Sequence, residues 1–204
     1  MTETEAEAWL ECRVSRETID GFHHLKRLVV ADQQNLVAAS TIANFLTRHV
    51  VDSVQLVQFA PAGNWIDIGS GAGFPGIPVA MVRDDDMTLV EPRALRAEFL
   101  NRAKDVLALR NVSILPTSVA AITSAPAAVI SARAVAPLTK LFAMAAHLAD
   151  ERTRWILPKG RNAMSEVETA RQSWHARFQL VPSCTAEDAM IVIADEVRPR
   201  KGSR

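Results

Sequence analysis

The sequence predicts an α/β fold: a mostly parallel, seven-stranded, doubly wound sheet of Rossmann-like type with an N-terminal helical cap. Three observations predict it. From Trp65 onward, short apolar runs alternate with helical segments, which is the pattern of strand–helix–strand crossovers. The first of these runs enters a glycine-dense turn, Gly69-Ser70-Gly71-Ala72-Gly73-Phe74-Pro75-Gly76. Such a turn between strand and helix is how α/β proteins hold nucleotide-like ligands. The 204 residues, 49% of them hydrophobic, suffice for one such domain with a proper core and a modest extension.

Taken in order, residues 1–60 read as a helical extension packed on the core, because Leu25, Leu28, Val29, then Ile42, Phe45, Leu46, Val50, Val51, Val54 and Val57 recur mostly at three- and four-residue spacing. Asn35 breaks the stretch and Ser40 is placed to cap the next helix. A Rossmann-like domain over 61–197 follows, with strands expected at Trp65–Ile68, Thr88–Glu91, Val112–Leu115, Ala127–Ser131, Arg154–Leu157, Phe178–Pro182 and Met190–Ala194. Helices are expected between them at 76–83, 93–109, 137–149 and 163–176. Pro75 and Pro78 suit a first helical turn, where a missing N–H costs little. The short link between the last two strands predicts one antiparallel strand at the sheet edge. The segment 198–204, with four bases and no acid, reads as a mobile basic tail.

Formal net charge is zero, which removes the simple electrostatic argument for nucleic acid while leaving room for local phosphate-binding patches. Cys12 and Cys184 are far apart and have no histidine neighbours, so free thiols in a reducing compartment and no metal site are expected. No apolar run reaches membrane-spanning length and the N-terminus is acidic, so a cytoplasmic protein without a membrane partner is expected, with a monomer as default.

The ligand class turns on Asp67 and Glu91. Gly71, Gly73 and Gly76 satisfy the dinucleotide pattern G-x-G-x-x-G. Read from the strand end, however, the turn begins at Gly69 and carries Phe74 where a third glycine would stand. Asp67 would be unfavourable near a pyrophosphate but suits a ligand bearing an ammonium or sulfonium. Glu91, at the end of the second strand, can accept bonds from ribose hydroxyls. The chain also has no second half for a dehydrogenase substrate. These residues favour S-adenosylmethionine, and hence a class I S-adenosylmethionine-dependent methyltransferase fold, over a nicotinamide cofactor, which stands as the alternative.

The run Asp67–Pro78 (Asp-Ile-Gly-Ser-Gly-Ala-Gly-Phe-Pro-Gly-Ile-Pro) is narrower than a generic glycine turn. It resembles the bacterial family of small-subunit (16S) ribosomal RNA guanine-N7 methyltransferases, also called glucose-inhibited division protein B. Three further stretches resemble that family in order and approximate spacing. They are Asn35-Leu36 with Arg48-His49-Val50-Val51-Asp52-Ser53, then Arg133-Ala134-Val135-Ala136, then Pro158-Lys159-Gly160. The resemblance implies cofactor contacts at Gly69 and Phe74, backbone contacts from Val119 and Ala120 around the adenine, and Arg133 beside the cofactor. It also implies 16S rRNA or the small ribosomal subunit as partner. Two departures stand out: the family commonly has an acid where this chain has Ala120, and a tryptophan before the position of Asn35.

Residue chemistry is compatible with that reading. Guanine N7 owns an in-plane lone pair on the major-groove edge and carries no proton, so its methylation needs no general base. The segment Ser131-Ala132-Arg133-Ala134 is not the Asn/Asp-Pro-Pro-aromatic run an exocyclic-amine enzyme would want, and Cys184 has no activating neighbour for C5-pyrimidine chemistry. Arg133 is the first candidate to touch the guanine or a phosphate through its planar fork, with an ion pair to Asp67 or Glu91 as the structural alternative. Lys159 and Arg161 follow the fifth strand and are candidates for substrate phosphate. Arg48 and His49 are candidates for RNA contact. A class I enzyme with another RNA or a small-molecule substrate, or a non-catalytic cofactor- and rRNA-binding protein, would share most of these features.

Overall fold

The computed structural model describes residues 1–200. Its centre is a seven-stranded sheet in the order β3-β2-β1-β4-β5-β7-β6. The strands are β1 Trp65–Ile68, β2 Met87–Val90, β3 Val112–Leu115, β4 Val129–Ala132, β5 Arg154–Lys159, β6 Trp174–Pro182 and β7 Met190–Pro199. Strands β1 to β5 pair in parallel, and β7 runs antiparallel to both β5 and β6. The expected antiparallel strand is therefore present but lies inside the sheet, with β6 on the edge. A hairpin return from β6 lets β7 fill the gap beside β5, which the short link alone does not reveal. β7 also continues through Pro199, where Arg198 faces His175 and Pro199 faces Trp174. The start of the predicted tail is thus paired strand, and its last four residues, 201–204, lie outside the described residues.

Helices cover both faces. Helices α1 Glu3–Glu11, α2 Arg16–Ala31, α4 Gly76–Ala80 and α5 Ala94–Val106 pack on one, and α6 Leu138–Ala145 and α7 Ala163–Ser173 on the other. Alternation along β1 explains how two cores form. Trp65 joins Leu10, Phe22, Ile77 and Phe99 in the first core, whereas Ile66 and Ile68 join Phe142, Trp155 and Val167 in the second. Asp67 shares the parity of Trp65 and so faces the α4 side. That parity decides what Asp67 can do.

The extension is more irregular than its spacing predicts. After α2 the chain breaks, and Ser40 lies inside a short 3₁₀ turn, Ala39–Thr41, that no side chain caps, so the predicted Ser40 cap is not formed. A π-helical turn, Leu46–Val51, then runs into α3, Asp52–Val54, and a 3₁₀ turn, Gln55–Phe59. The π-turn has no cap of its own. Glu3 of α1 supplies one, accepting the amides of Leu46 at 2.8 Å and Thr47 at 3.1 Å. Helix α1 thereby props the turn that carries Arg48 and His49. Among the described residues no helix is long and apolar enough to cross a membrane.

Candidate active site at the β1–β4 switch point

Strand order reverses between β1 and β4, and ligands in open α/β sheets bind beyond the carboxyl ends of the strands at such a point. The glycine turn leaves β1 there. Gly69, Gly71 and Gly73 have φ of 65°, 58° and 91°, a left-handed backbone that side-chain-bearing residues adopt at a cost. Gly71 is buried, yet a Cβ built on it would meet only the movable tip of Arg96, at 3.2 Å, and the Gly69 carbonyl at 3.8 Å, so a flexible side chain rather than the core lies over this backbone. Beside it, the Glu91 carboxylate accepts the amides of Gly71 and Arg93, both at 2.9 Å. Each of its oxygens keeps a further lone pair, the arrangement needed to receive ribose hydroxyls. Val119, in a short turn after β3, is buried in the same cluster as Ile68 and Val90, and Ala120 beside it is exposed. A glycine turn without side chains, an acceptor carboxylate and an apolar floor fit a nucleoside ligand.

Asp67 does not face that ligand space. It is fully buried, takes the Ser131 hydroxyl at 2.7 Å and the Gly76 amide at 3.3 Å, and so braces the turn from beneath. Burial pushes its carboxyl up to about 6, against the lowering effect of the bonds from Ser131 and Gly76. The expected contact with a ligand ammonium is thus replaced by a supporting one, because the strand's pleat turns the carboxylate toward α4. The first amide of α4 is taken by Asp67, so the short helix does not present a free N-terminus to a ligand.

Next to the turn lies a cleft of about 630 Å³, walled by Arg48, His49, Asp52, Arg133, Lys159 and Thr185 among others. Val135 marks its border with the glycine turn: it lines the cleft, and a Cβ on Gly69 would meet its Cγ2 at 2.7 Å. Arg133, at the end of β4, donates from Nη1 to the Arg48 carbonyl and Asp52 Oδ2, both at 3.0 Å, and from Nη2 to His49 Nδ1 at 3.1 Å. Its guanidinium also lies 5.2 Å from the centre of the Phe74 ring. The expected ion pair of Arg133 is therefore with Asp52 of the extension, not with Asp67 or Glu91. Ala134, which follows, holds a φ of 57°, a strained value for a residue with a Cβ.

The remaining candidates divide. Lys159 is tied down, donating to the Ala136 carbonyl and to Glu166, both at 2.8 Å, while Glu166 also accepts the Leu138 amide at 3.0 Å. It therefore anchors the loop after β4, and only its third N–H is left for a phosphate. Arg161 is largely exposed beside Asp188, at 3.5 Å. Arg48 points its side chain to solvent at the cleft mouth. His49 is only 7% exposed, stacks on Phe74 at 4.9 Å, and has both nitrogens engaged, which corrects its expected role as an RNA contact. Asp52, Thr185, Glu166 and Val135 were not singled out as site residues by the sequence reasoning. Asp52 and Val135 lay inside stretches that carried the family resemblance, whereas nothing in the sequence marked Thr185 or Glu166.

Sheet order, switch-point site and glycine turn together define the class I S-adenosylmethionine-dependent methyltransferase fold. Solved structures agree on the fold. A ribosomal protein L11 methylase from Lactobacillus delbrueckii subsp. bulgaricus superposes with a TM-score of 0.59 at 12% identity, covering 72% of this chain and 76% of that one. A mutant of MtNAS in complex with S-adenosylmethionine gives 0.61 at 16% identity, covering 87% and 72%. Sequence comparison narrows the class. The family model for rRNA small subunit methyltransferase G matches residues 23–192. The ribosomal RNA small subunit methyltransferase G of Rhizorhabdus wittichii is 44% identical over 212 residues, spanning 100% of this chain and 98% of the relative. That of Zymomonas mobilis is 36% identical over 215 residues, spanning 98% and 97%. The chain belongs to the rRNA small subunit methyltransferase G family.

Proposed function

We propose that this protein transfers the methyl group of S-adenosylmethionine to N7 of a guanine in 16S ribosomal RNA. One observation carries the choice of atom. Every acid or base candidate on the cleft wall is already engaged: Asp52 by Arg133, Glu166 by Lys159, and His49 at both nitrogens. A reaction that must remove a proton from its nucleophile would need one of them free. Guanine N7 has no proton to lose.

S-adenosylmethionine supplies an activated methyl on a sulfonium. The chain's own contribution is placement and exclusion of water, and oriented reactants alone can account for roughly 7–11 kcal/mol of a barrier. Gly69, Gly71, Gly73 and Phe74 form the cofactor side with Glu91, Val119 and Ala120, and Asp67 shapes that side from below. Arg133 stands between cofactor and substrate, offering its free N–H groups to guanine O6 or a phosphate. Arg48, Arg161 and the third N–H of Lys159 serve RNA phosphates. On this reading the small ribosomal subunit is the source of that RNA and the protein works in the cytoplasm.

The test is transfer of labelled methyl from S-adenosylmethionine to small subunits lacking the modification, followed by chemical cleavage at 7-methylguanine. Label at one cleavable guanine supports the assignment. Cofactor binding without label in the RNA would move the substrate elsewhere or make the protein a non-catalytic binder.

A further inference from the structure

His49 sits in a hydrogen-bond chain whose direction is fixed at both ends. The Thr41 hydroxyl donates its single hydrogen to the Ala38 carbonyl at 2.7 Å. Its oxygen, 2.8 Å from His49 Nε2, must therefore accept, so Nε2 carries the ring's proton. At the other end Arg133 Nη2 has only hydrogens to offer, so Nδ1 is a bare lone pair. The two requirements agree on one neutral tautomer without any appeal to titration. Burial, with Arg133 and Arg48 adding to it, depresses the ring's protonation in the same sense, to about 3.

The ring is also fixed in orientation. It stacks on Phe74 of the glycine turn with an interplanar angle of 30° and a centroid distance of 4.9 Å, and it leans on Phe45 at 5.3 Å. Arg133 meets the same Phe74 ring on its own account. Of the guanidinium's five hydrogens, three go to Arg48, Asp52 and His49, which leaves Nε–H and one hydrogen on Nη2 without an acceptor among the described residues. A long side chain with three of its donors held and its guanidinium beside an aromatic ring loses little entropy when the remaining two meet a ligand.

We propose that His49 is the positioning residue for Arg133: its Nδ1 lone pair, aimed by Thr41 and by the stack on Phe74, turns the arginine's two free N–H groups into the cleft. This rests on the role given to Arg133 above. It assigns the extension a part in the reaction, since the acceptor that orients a β4 residue comes from the π-turn.

Two substitutions separate the lone pair from the ring. His49→Asn puts Oδ1 where Nδ1 stands and loses the stack, whereas His49→Phe keeps the stack and loses the acceptor. In methyl transfer to small subunits, His49→Phe is expected to lower kcat/KM for RNA about tenfold, the size of one lost charge-assisted bond, with cofactor Kd changed less than about threefold. His49→Asn, which keeps an acceptor but not the ring that aims it, is expected to lose only about threefold, clearly less than His49→Phe. Equal losses in both variants, or full activity in His49→Phe, would overturn the proposal. Nitrogen NMR of the unsubstituted protein tests it where a variant fails to fold: a protonated Nδ1 at neutral pH would also overturn it. Arg133→Ala, run alongside, isolates the premise. If Arg133→Ala retains transfer, the role of Arg133 itself fails; if it loses transfer while His49→Phe does not, only the positioning fails.

Discussion

The Asp67 carboxylate and the Ser131 hydroxyl, register partners across β1 and β4, meet at 2.7 Å in complete burial, with Trp65 Nε1 donating to the same hydroxyl at 2.8 Å. A charge so placed has consequences for stability. Its folded carboxyl is raised to about 6 from an ordinary 3.8, so the folded state holds a proton more tightly than the unfolded chain does. The associated stabilisation is complete below pH 3.8 and lost as pH rises through about 6, a difference of ~3 kcal/mol. Denaturant midpoints of the parent and Asp67→Asn, compared across that window, should show the parent losing ground as pH rises. A pH-independent difference would mean the carboxylate is better solvated than its burial indicates.

His49 gives a slope of opposite sign. Its folded value is depressed from 6.5 to about 3, so the stabilisation is complete above pH 6.5 and is lost as pH falls toward 3. The charged neighbours that resist its protonation are Arg133 and Arg48, with Asp52 nearby holding Arg133. In an NMR titration the His49 ring should stay neutral down to about pH 4, and His49→Asn should soften acid unfolding. Protonation near 6.5 would contradict the buried geometry. Because the two slopes oppose, the parent's own pH profile will look flatter than either variant's.

Gly71 and Gly76 belong to one turn yet should respond differently to alanine. At Gly76 a Cβ would meet Leu89 Cδ2 at 2.1 Å and Asp67 Oδ2 at 3.0 Å, a clash inside the core. Gly76→Ala should therefore destabilise by ~1–3 kcal/mol, read as a lowered Tm. At Gly71 only the tip of Arg96 is near, so Gly71→Ala should cost ~1–2 kcal/mol for its left-handed backbone while losing much more cofactor affinity. Equal cofactor Kd in Gly71→Ala and the parent would mean the face of the turn beneath Arg96 is not where the cofactor lies.

Removing the Glu3 carboxylate should loosen the π-turn it caps. Glu3→Ala is expected to cost ~1 kcal/mol, the usual size of a lost cap, and to raise hydrogen exchange at Leu46 and Thr47. Unchanged exchange there would assign the turn's stability to packing alone.

Much of this was legible in the chain. Short apolar runs and three-to-four spacing located all seven strands and the four helices of the domain, because parallel sheets bury both faces and leave clear apolar runs. The exception is 174–176, expected as the end of a helix and found as the start of β6. The face of Asp67 could also have been read, since it lies two residues from Trp65. What escaped was set by contacts far apart in sequence. Asp52 finds Arg133 81 residues away, and Thr185 reaches Asp52 across 133. Lys159 looked like a free cation because nothing local marks Glu166 as its partner. Ser40 looked like a cap because capping propensity is local, whereas the short 3₁₀ turn around it closes on itself, with the Thr41 amide and hydroxyl both donating to the Ala38 carbonyl.

The interior place of β7 also makes two strands depend on the end of the chain. β6 precedes β7 in the chain, yet β7 is its only strand neighbour among the described residues, so its sheet pairing depends on residues that come later. Lys159 stands on β5 at the cleft wall, and β7 likewise covers that strand's outer edge. The cleft wall carried by β5 therefore has its outer edge completed only by the last strand of the chain, and a chain truncated before Met190 would leave β5 and β6 both without that partner.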